Sequence, residues 1–253
     1  MALLKLQNDF FRDALVALSL LTRLPIKLGE PDYQRSAQAA WAYPLVGIAT
    51  GAIACIAAAL ALLLGLPLWC VALLSLGAGA IVTGAMHEDG LADCADGFWG
   101  GWDPAMRLKI MKDSQIGTYG VLALLVTQGI RFGAVLEILS WESWVLPLIA
   151  VHVASRAVMP TVMHALPPAR EAGLSHSVGR VSFEAALKAV AIGVFALLIG
   201  LGLQGIFASV IAALALLGAL RLAKAKIGGQ TGDVCGAVQQ VTEVALLITL
   251  LAG

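Results

Sequence analysis

From residue 36 to residue 86 the chain contains no Asp, Glu, Lys or Arg, a gap of 51 positions. A charge-free stretch of that length excludes an ordinary soluble core, since soluble domains carry about 25% charged residues. Here 13% of the 253 residues are charged, 60% are hydrophobic and the mean hydropathy is +0.89. Basic excess is missing too: sixteen cations balance sixteen anions and the pI is near 6.9. Without clustered Lys and Arg no nucleic-acid partner is expected. The four cysteines, Cys55, Cys70, Cys94 and Cys235, have no CxxC spacing, and two lie in apolar runs. Neither disulfides nor a zinc site follows, and they read as buried small hydrophobes. The first 25 residues contain acidic side chains and no small-residue cleavage site, so they are not read as a removed signal peptide. No low-complexity segment and no internal repeat stands out.

What the chain has instead is spanning length. A bilayer crossing needs about 20 apolar residues, and candidates fall at 44–65, 66–86, 119–139, 143–165, 186–203, 205–222 and 234–252. The reading is a single domain over 1–253, an all-α polytopic integral membrane helical bundle of about seven transmembrane helices. Connections near 65–67, 140–142 and 203–205 are short enough to join hairpins on one side. Segments 1–40, 87–118, 166–185 and 223–233 then share the other side. Fourteen of the sixteen cations lie there or at the adjoining helix ends, all but Arg131 and Arg156. The positive-inside rule makes that side cytoplasmic. Residues 6–21 read as an amphipathic helix at the interface. Gly47-xxx-Gly51, Ala80-xxx-Gly84 and Gly129-xxx-Gly133 read as close helix contacts.

The charge-free stretch ends in HEDGLADCAD at 87–96, with four carboxylates in ten residues. If the second span continues through it, Asp89, Asp93 and Asp96 share one face, within an arc of about 60°. Carboxylates roughly 6 Å apart repel by about 3 kcal/mol at an effective dielectric near 20, and a helix C-terminus is the wrong dipole end for anions. A compensating cation is expected. Oxygen ligands suit Mg²⁺, Mn²⁺ or Ca²⁺, and Mg²⁺ commonly shares one or two carboxylates with substrate phosphates, which implies a diphosphate substrate. The alternative is a solvated acidic helix end. Glu88 points off this face, and His87 reads as an interfacial polar residue.

Other segments are candidates for the same site. Asp103-Pro104 has the form of an N-cap with Pro at the first helical position. Asp113 follows the cations of that short helix, Lys112 among them, as a metal ligand or as a cap. The run Gly228, Gly229, Gln230, Thr231, Gly232 and Asp233 precedes the last span, where backbone N–H groups at a helix start favour phosphate. The alternative is a simple turn. Within the spans Arg131, His152, Arg156 and Glu243 are costly polar groups and hence functional candidates, with an Arg156–Glu243 ion pair as the plain alternative. Arg23 in TRLP (22–25) and His176 in SHS (175–177) lie in polar segments as candidate substrate contacts.

In combination, HEDGLADCADGFWGG (87–101), MKDSQIGTYG (111–120), GGQTGDVCGA (228–237) and TRLP (22–25) resemble the cobalamin synthase family, the adenosylcobinamide-GDP ribazoletransferases, in order along the whole chain. The resemblance implies transfer of the phosphocobinamide group of adenosylcobinamide-GDP to α-ribazole or its 5′-phosphate, giving adenosylcobalamin or its phosphate and GMP, with Mg²⁺. It also implies a multi-pass protein of the bacterial inner membrane, its active segment at 87–118 facing the cytoplasm, with association with other cobalamin-assembly enzymes or oligomers to be looked for. On that footing Asp89, Asp93 and Asp96 hold Mg²⁺, and Asp113 is a further ligand or the base. Lys112, the Gly229–Asp233 turn and Arg156 then meet phosphates. Rival readings are a CDP-alcohol phosphotransferase, from whose Asp-Gly-xx-Ala-Arg pattern Asp89-Gly90-Leu91-Ala92-Asp93 departs by lacking the Arg, a membrane prenyltransferase, and a divalent-cation transporter, which calls for carboxylates near the midplane on several helices.

Overall fold

The computed structural model describes residues 2–252, with side chains from Asp9 onward, so the side chain of Lys5, counted above, lies outside it. Among these residues the chain is helical throughout. α1 (Ala2–Leu21) leads through α2 (Glu30–Tyr33), α3 (Ser36–Ala39) and a 3₁₀ turn into α4 (Tyr43–Leu63). Then come α5 (Leu68–Thr83), α6 (Met86–Gly100), α7 (Pro104–Ile110), α8 (Thr118–Ile138), α9 (Val145–Ala157) and α10 (Met159–Ala165). α11 (Leu174–Val178), α12 (Phe183–Leu201), α13 (Gln204–Ile227) and α14 (Gly232–Leu251) complete the fold.

Six helices are long and apolar enough to cross a bilayer: 36–63, α8, α9 with α10, α12, α13 and α14. α5 and α6 meet that test only together, bent by 86°, which gives seven if the pair is one span. The apolar part of the pair is α5. α6 carries the carboxylates and packs along α14 and α8, from Glu88 beside Gln240 and Arg131 to Asp96 at the start of α8. α9 and α14 are central, with 72% of their apolar windows buried against 22–28% for α8, α12 and α13, whose outer faces are exposed.

The expected uninterrupted helix through Met86 is broken, for a local reason. Gly84 and Ala85 both adopt left-handed backbone, at φ 65° and 54°. The turn closes through Gly84 N–H to Ile81 C=O and Ala85 N–H to Ala80 C=O, a standard helix stop that glycine makes inexpensive. Ala80-xxx-Gly84 is therefore a terminus and not a packing motif. α6 starts afresh, so Glu88 and Asp89 sit in its first turn, where the dipole favours anions. The dipole objection to the acidic cluster is removed.

Small residues do bring the central helices together. A Cβ on Gly47 would come within 2.5 Å of Val153 Cα, and one on Gly51 within 3.2 Å of Ile149 Cα, so α4 lies backbone to backbone on α9. Gly193 and Gly200 of α12 do the same against Ala157 and Ala150. Gly129 and Gly133 face open space and pack nothing among the described residues. The amphipathic α1 docks through Val16, Ala17 and Leu21, with buried Asp13 accepting from Arg35 Nε and Trp41 Nε1, both at 3.0 Å.

The polar segments between spans gather at one end. Arg107 donates to the Lys226 carbonyl at 2.9 Å, Lys226 to the Phe98 carbonyl at 2.8 Å, and Arg170 to the Leu108 carbonyl at 3.3 Å.

Candidate active site

α6 and α14 approach through glycine. A Cβ on Gly90 would stand 2.7 Å from Asp233 O and 2.9 Å from its Cα, and one on Gly236 would stand 3.1 Å from His87 Cα. Any larger residue at Gly90 would push the acidic helix off the start of α14. That contact sets Asp89 and Asp93 beside Asp233. Asp89 is exposed and Asp93 half-buried. Burial, then the charges of Asp233 and Asp89, pushes the Asp93 carboxyl up to about 7 against the opposite pull of Arg170. Arg170 Nη1 pairs with Asp233 Oδ2 at 3.2 Å.

The turn before α14 is held by backbone pairing. Gln230 N–H donates to Pro167 C=O at 2.9 Å and Ala169 N–H to Gln230 C=O at 2.8 Å, an isolated parallel bridge between residues far apart in sequence. Gly229 sits so close to the Pro167 carbonyl that no Cβ fits. Thr231 caps α14, its Oγ1 accepting from Val234 N–H at 3.3 Å and donating to Asp233 Oδ2 at 3.2 Å. Buried Gln230 accepts from Ser175 Oγ at 2.5 Å, which ties α11 to the turn.

These elements surround a cavity of about 230 Å³. Of the residues expected from sequence, Asp89, His176, Gln230, Thr231, Gly232 and Asp233 line it. Asp93 and Gly229 are not part of its lining, and Gly229 shapes the turn. Asp96, on the same helix face, turns to α8 and accepts from Gly117 N–H at 2.7 Å and Gly120 N–H at 2.9 Å. Its two oxygens cap the start of a span. Lys112 and Asp113 are exposed, off the cavity lining, and Asp113 Oδ1 accepts from Gln115 N–H at 3.2 Å. Arg23 is exposed and lies across the Gly84 turn.

The buried ion pairs differ from the one considered in the sequence. Glu243 pairs with Arg131 at 2.8 Å and not with Arg156, and Arg131 also holds Glu88 at 2.9 Å. Gln239 donates to Glu243 Oε2 at 2.6 Å and Gln240 to Gln239 Oε1 at 2.9 Å. Arg156 donates to the His152 carbonyl one turn back at 3.0 Å. Two residues escaped the sequence reading as site groups. Glu88 has no place on the aspartate face, yet it anchors α6 to α8. Arg170 was one cation among many in a polar segment, and no motif marks it.

As a metal site the arrangement is partial. No group of three or more His, Cys, Asp or Glu among the described residues is placed to hold an ion by itself. Asp89 and Asp93 with Asp233 nearby form an oxygen donor set of the sort Mg²⁺ uses when substrate phosphates complete its shell. Two carboxylates, one guanidinium and the N–H groups of a twenty-residue helix thus converge on one opening, an arrangement suited to a phosphate bound with a cation.

Residues 13–251 match the family described as cobalamin-5-phosphate synthase. The chain is 43% identical over 241 residues to an adenosylcobinamide-GDP ribazoletransferase of Mesorhizobium japonicum, covering 93% of this chain and 91% of the relative. It is 40% identical over 247 residues to one of Bradyrhizobium diazoefficiens, covering 97% and 95%, and 40% identical over 258 residues to one of Brucella canis, covering 97% and 98%. No solved structure matches. With nearly its full length aligned, this chain belongs to the cobalamin-5-phosphate synthase family.

Proposed function

We propose that the chain transfers the phosphocobinamide group of adenosylcobinamide-GDP to a ribose hydroxyl of α-ribazole, or of its 5′-phosphate, releasing GMP. The observation that carries this is the meeting of Asp89, Asp233 and Arg170 over one cavity at the start of α14, with Asp93 close enough to feel the charges of both aspartates. The ribose oxygen bonds to the phosphorus that carries the cobinamide alcohol, and the bond from that phosphorus to the bridging oxygen of the diphosphate breaks. GMP leaves with that oxygen, and the hydroxyl proton passes to a carboxylate at the cavity mouth.

Asp89 and Asp93 are the residues that would hold Mg²⁺, and the ion would neutralise phosphate charge and orient in-line attack. The chain itself supplies the rest. Arg170, already paired to Asp233, can share its guanidinium with a phosphate oxygen. The first N–H groups of α14 add a partial positive charge where anions bind well. Exposed His176 stands on the rim. Asp96 is left to cap α8. The count of cations on the polar end supports placing that end in the cytoplasm and the protein in the bacterial inner membrane.

The test is release of GMP from adenosylcobinamide-GDP by the protein in lipid vesicles. Turnover that requires α-ribazole and Mg²⁺ and falls at least a hundredfold in Asp89→Asn and Asp93→Asn is expected. Full turnover in both variants, or product formation with a chelator present, would remove the role given to the carboxylates. CMP release from CDP-alcohols would replace the substrate assignment.

A further inference from the structure

The cavity has two unlike halves. The mouth carries exposed Asp89 and His176, half-buried Arg170 and the turn before α14. The inner half is made by apolar residues from α1, α4, α6 and α10: buried Leu21, Tyr43, Met159 and Met163, with half-buried Met86. His87 shares that inner wall. It is 2% exposed, and its Nε2 is buried with no hydrogen-bond partner among the described residues. Leaving a buried polar nitrogen unpaired is costly, and since the imidazole forms part of the cavity wall, a small turn of the ring toward a ligand there would complete it.

The inner half therefore asks for a flat apolar ligand with very few polar atoms. Guanine does not fit that description. It presents several donors and acceptors along its edges, and each would be stranded against methionine and leucine. A corrin ring with its amide arms is too large and too polar. A fused aromatic base of the benzimidazole kind fits. One ring nitrogen is taken by the sugar, the other is a lone acceptor, and the remaining edge is hydrocarbon. Methionine side chains adapt to such a ring and favour contact with its edge.

Resting on the transferase reading above, we infer that the inner half is the base pocket for the nucleoside acceptor. Met159, Met163 and Tyr43 enclose the aromatic ring, and His87 donates from Nε2 to its free ring nitrogen. The ribose then projects toward the mouth, where its hydroxyl reaches the phosphorus held by the polar groups. The GDP end of the other substrate stays at the rim. His87 is in this scheme a substrate-binding residue that selects the base.

Steady-state kinetics of the full chain in lipid vesicles test this, with GMP release as the readout and three acceptors: α-ribazole, its analogue lacking the two ring methyl groups, and an imidazole riboside. Met163→Phe narrows the pocket and is expected to raise KM for α-ribazole about tenfold while moving KM for the imidazole riboside less than twofold. His87→Phe is expected to raise KM for every acceptor about tenfold, with His87→Gln, which keeps an N–H donor, returning most of the loss. KM for adenosylcobinamide-GDP is expected to hold in all three variants. A rise in that KM with the acceptor KM unchanged would give the pocket to the other substrate and overturn the inference. Should a variant fail to fold, a photoreactive azidobenzimidazole riboside settles the point on the wild-type chain. Cross-links on peptides containing Met159 and Met163 support the pocket, and cross-links confined to the rim refute it. Absence of GMP release by the wild type would instead refute the transferase reading itself.

Discussion

Three aspartates on one helix face have three different surroundings. Asp89 is open to the cavity, Asp93 is half-buried among other carboxylates, and Asp96 is bound by two backbone N–H groups. Asp96→Ala leaves those N–H groups unpaired at a helix start and is expected to cost about 1–3 kcal/mol of stability. Asp89→Asn is expected to leave the melting temperature in place while turnover falls, and thermal unfolding set beside GMP release separates the two. Asp93 gives a pH signature. Its carboxyl is raised from 3.8 to about 7, so the folded chain holds a proton that the unfolded chain has released. The metal-free protein therefore loses stability as pH rises between those values and no further above them. Cation binding must displace the same proton, so Mg²⁺ affinity is expected to climb with pH up to about 7 and then level off. Calorimetric titration on either side of that value checks this, and Asp93→Asn should flatten the climb. The spacing of the acids was legible because a helix on either side of a bend keeps its own period. Which acid faces a cavity and which faces a helix end was not, because that depends on α8 and α14, remote in sequence.

At the level of elements, the break at Gly84 and Ala85 matters most. It turns α6 through 86° and places acids at a helix start. Glycine before an acidic cluster did not signal a stop, since the left-handed Ala85 has no sequence mark. The α6–α14 contact depends on Gly90, whose missing side chain lets the two backbones approach. Gly90→Val is expected to separate Asp89 from Asp233 and lower turnover at least tenfold with the helix content of the circular dichroism spectrum kept. Arg131 joins α6, α8 and α14 through Glu88 and Glu243. Arg131→Met strands buried Glu243 and half-buried Glu88 and is expected to cost about 3–5 kcal/mol, part of which Arg131→Met with Glu243→Met should recover. Thermal unfolding in detergent measures both. A buried Arg and a buried Glu were each visible in the sequence as costly groups, but their pairing required knowing which helices face each other.

For the whole molecule, charge-free length and the distribution of cations specify a polytopic bundle with one polar end. The orientation of that end is testable. In cells, Glu142→Cys in the short 140–142 connection is expected to react with an impermeant maleimide added outside, while Glu171→Cys reacts only after the membrane is opened. Both positions are exposed; three of the four native cysteines are buried, and Cys70, half-buried near the 65–67 connection, is changed to Ser in the parent chain to keep the background low. Reversed labelling would place the active end outside the cell. Small-residue spacing was legible as a packing signal in general and misleading in particular: Gly47 and Gly51 pack α4 on α9, while Gly129 and Gly133 face open space.

Hydropathy and charge are properties of each segment taken alone, so the amino-acid order was enough to specify six of the seven expected spans, the first helix, the capped α7 and the acidic run of α6. Contacts between segments are not local. The union of Asp89 with Asp233 and Arg170, the diversion of Asp96 to α8, the Arg131 ion pairs and the two-part cavity arise only once α6, α8, α10 and α14 are packed together. Each of those groups meets its partner across at least 20 residues of chain, a separation bridged by backbone approach at Gly90 and Gly236 and by no pattern within the segment itself.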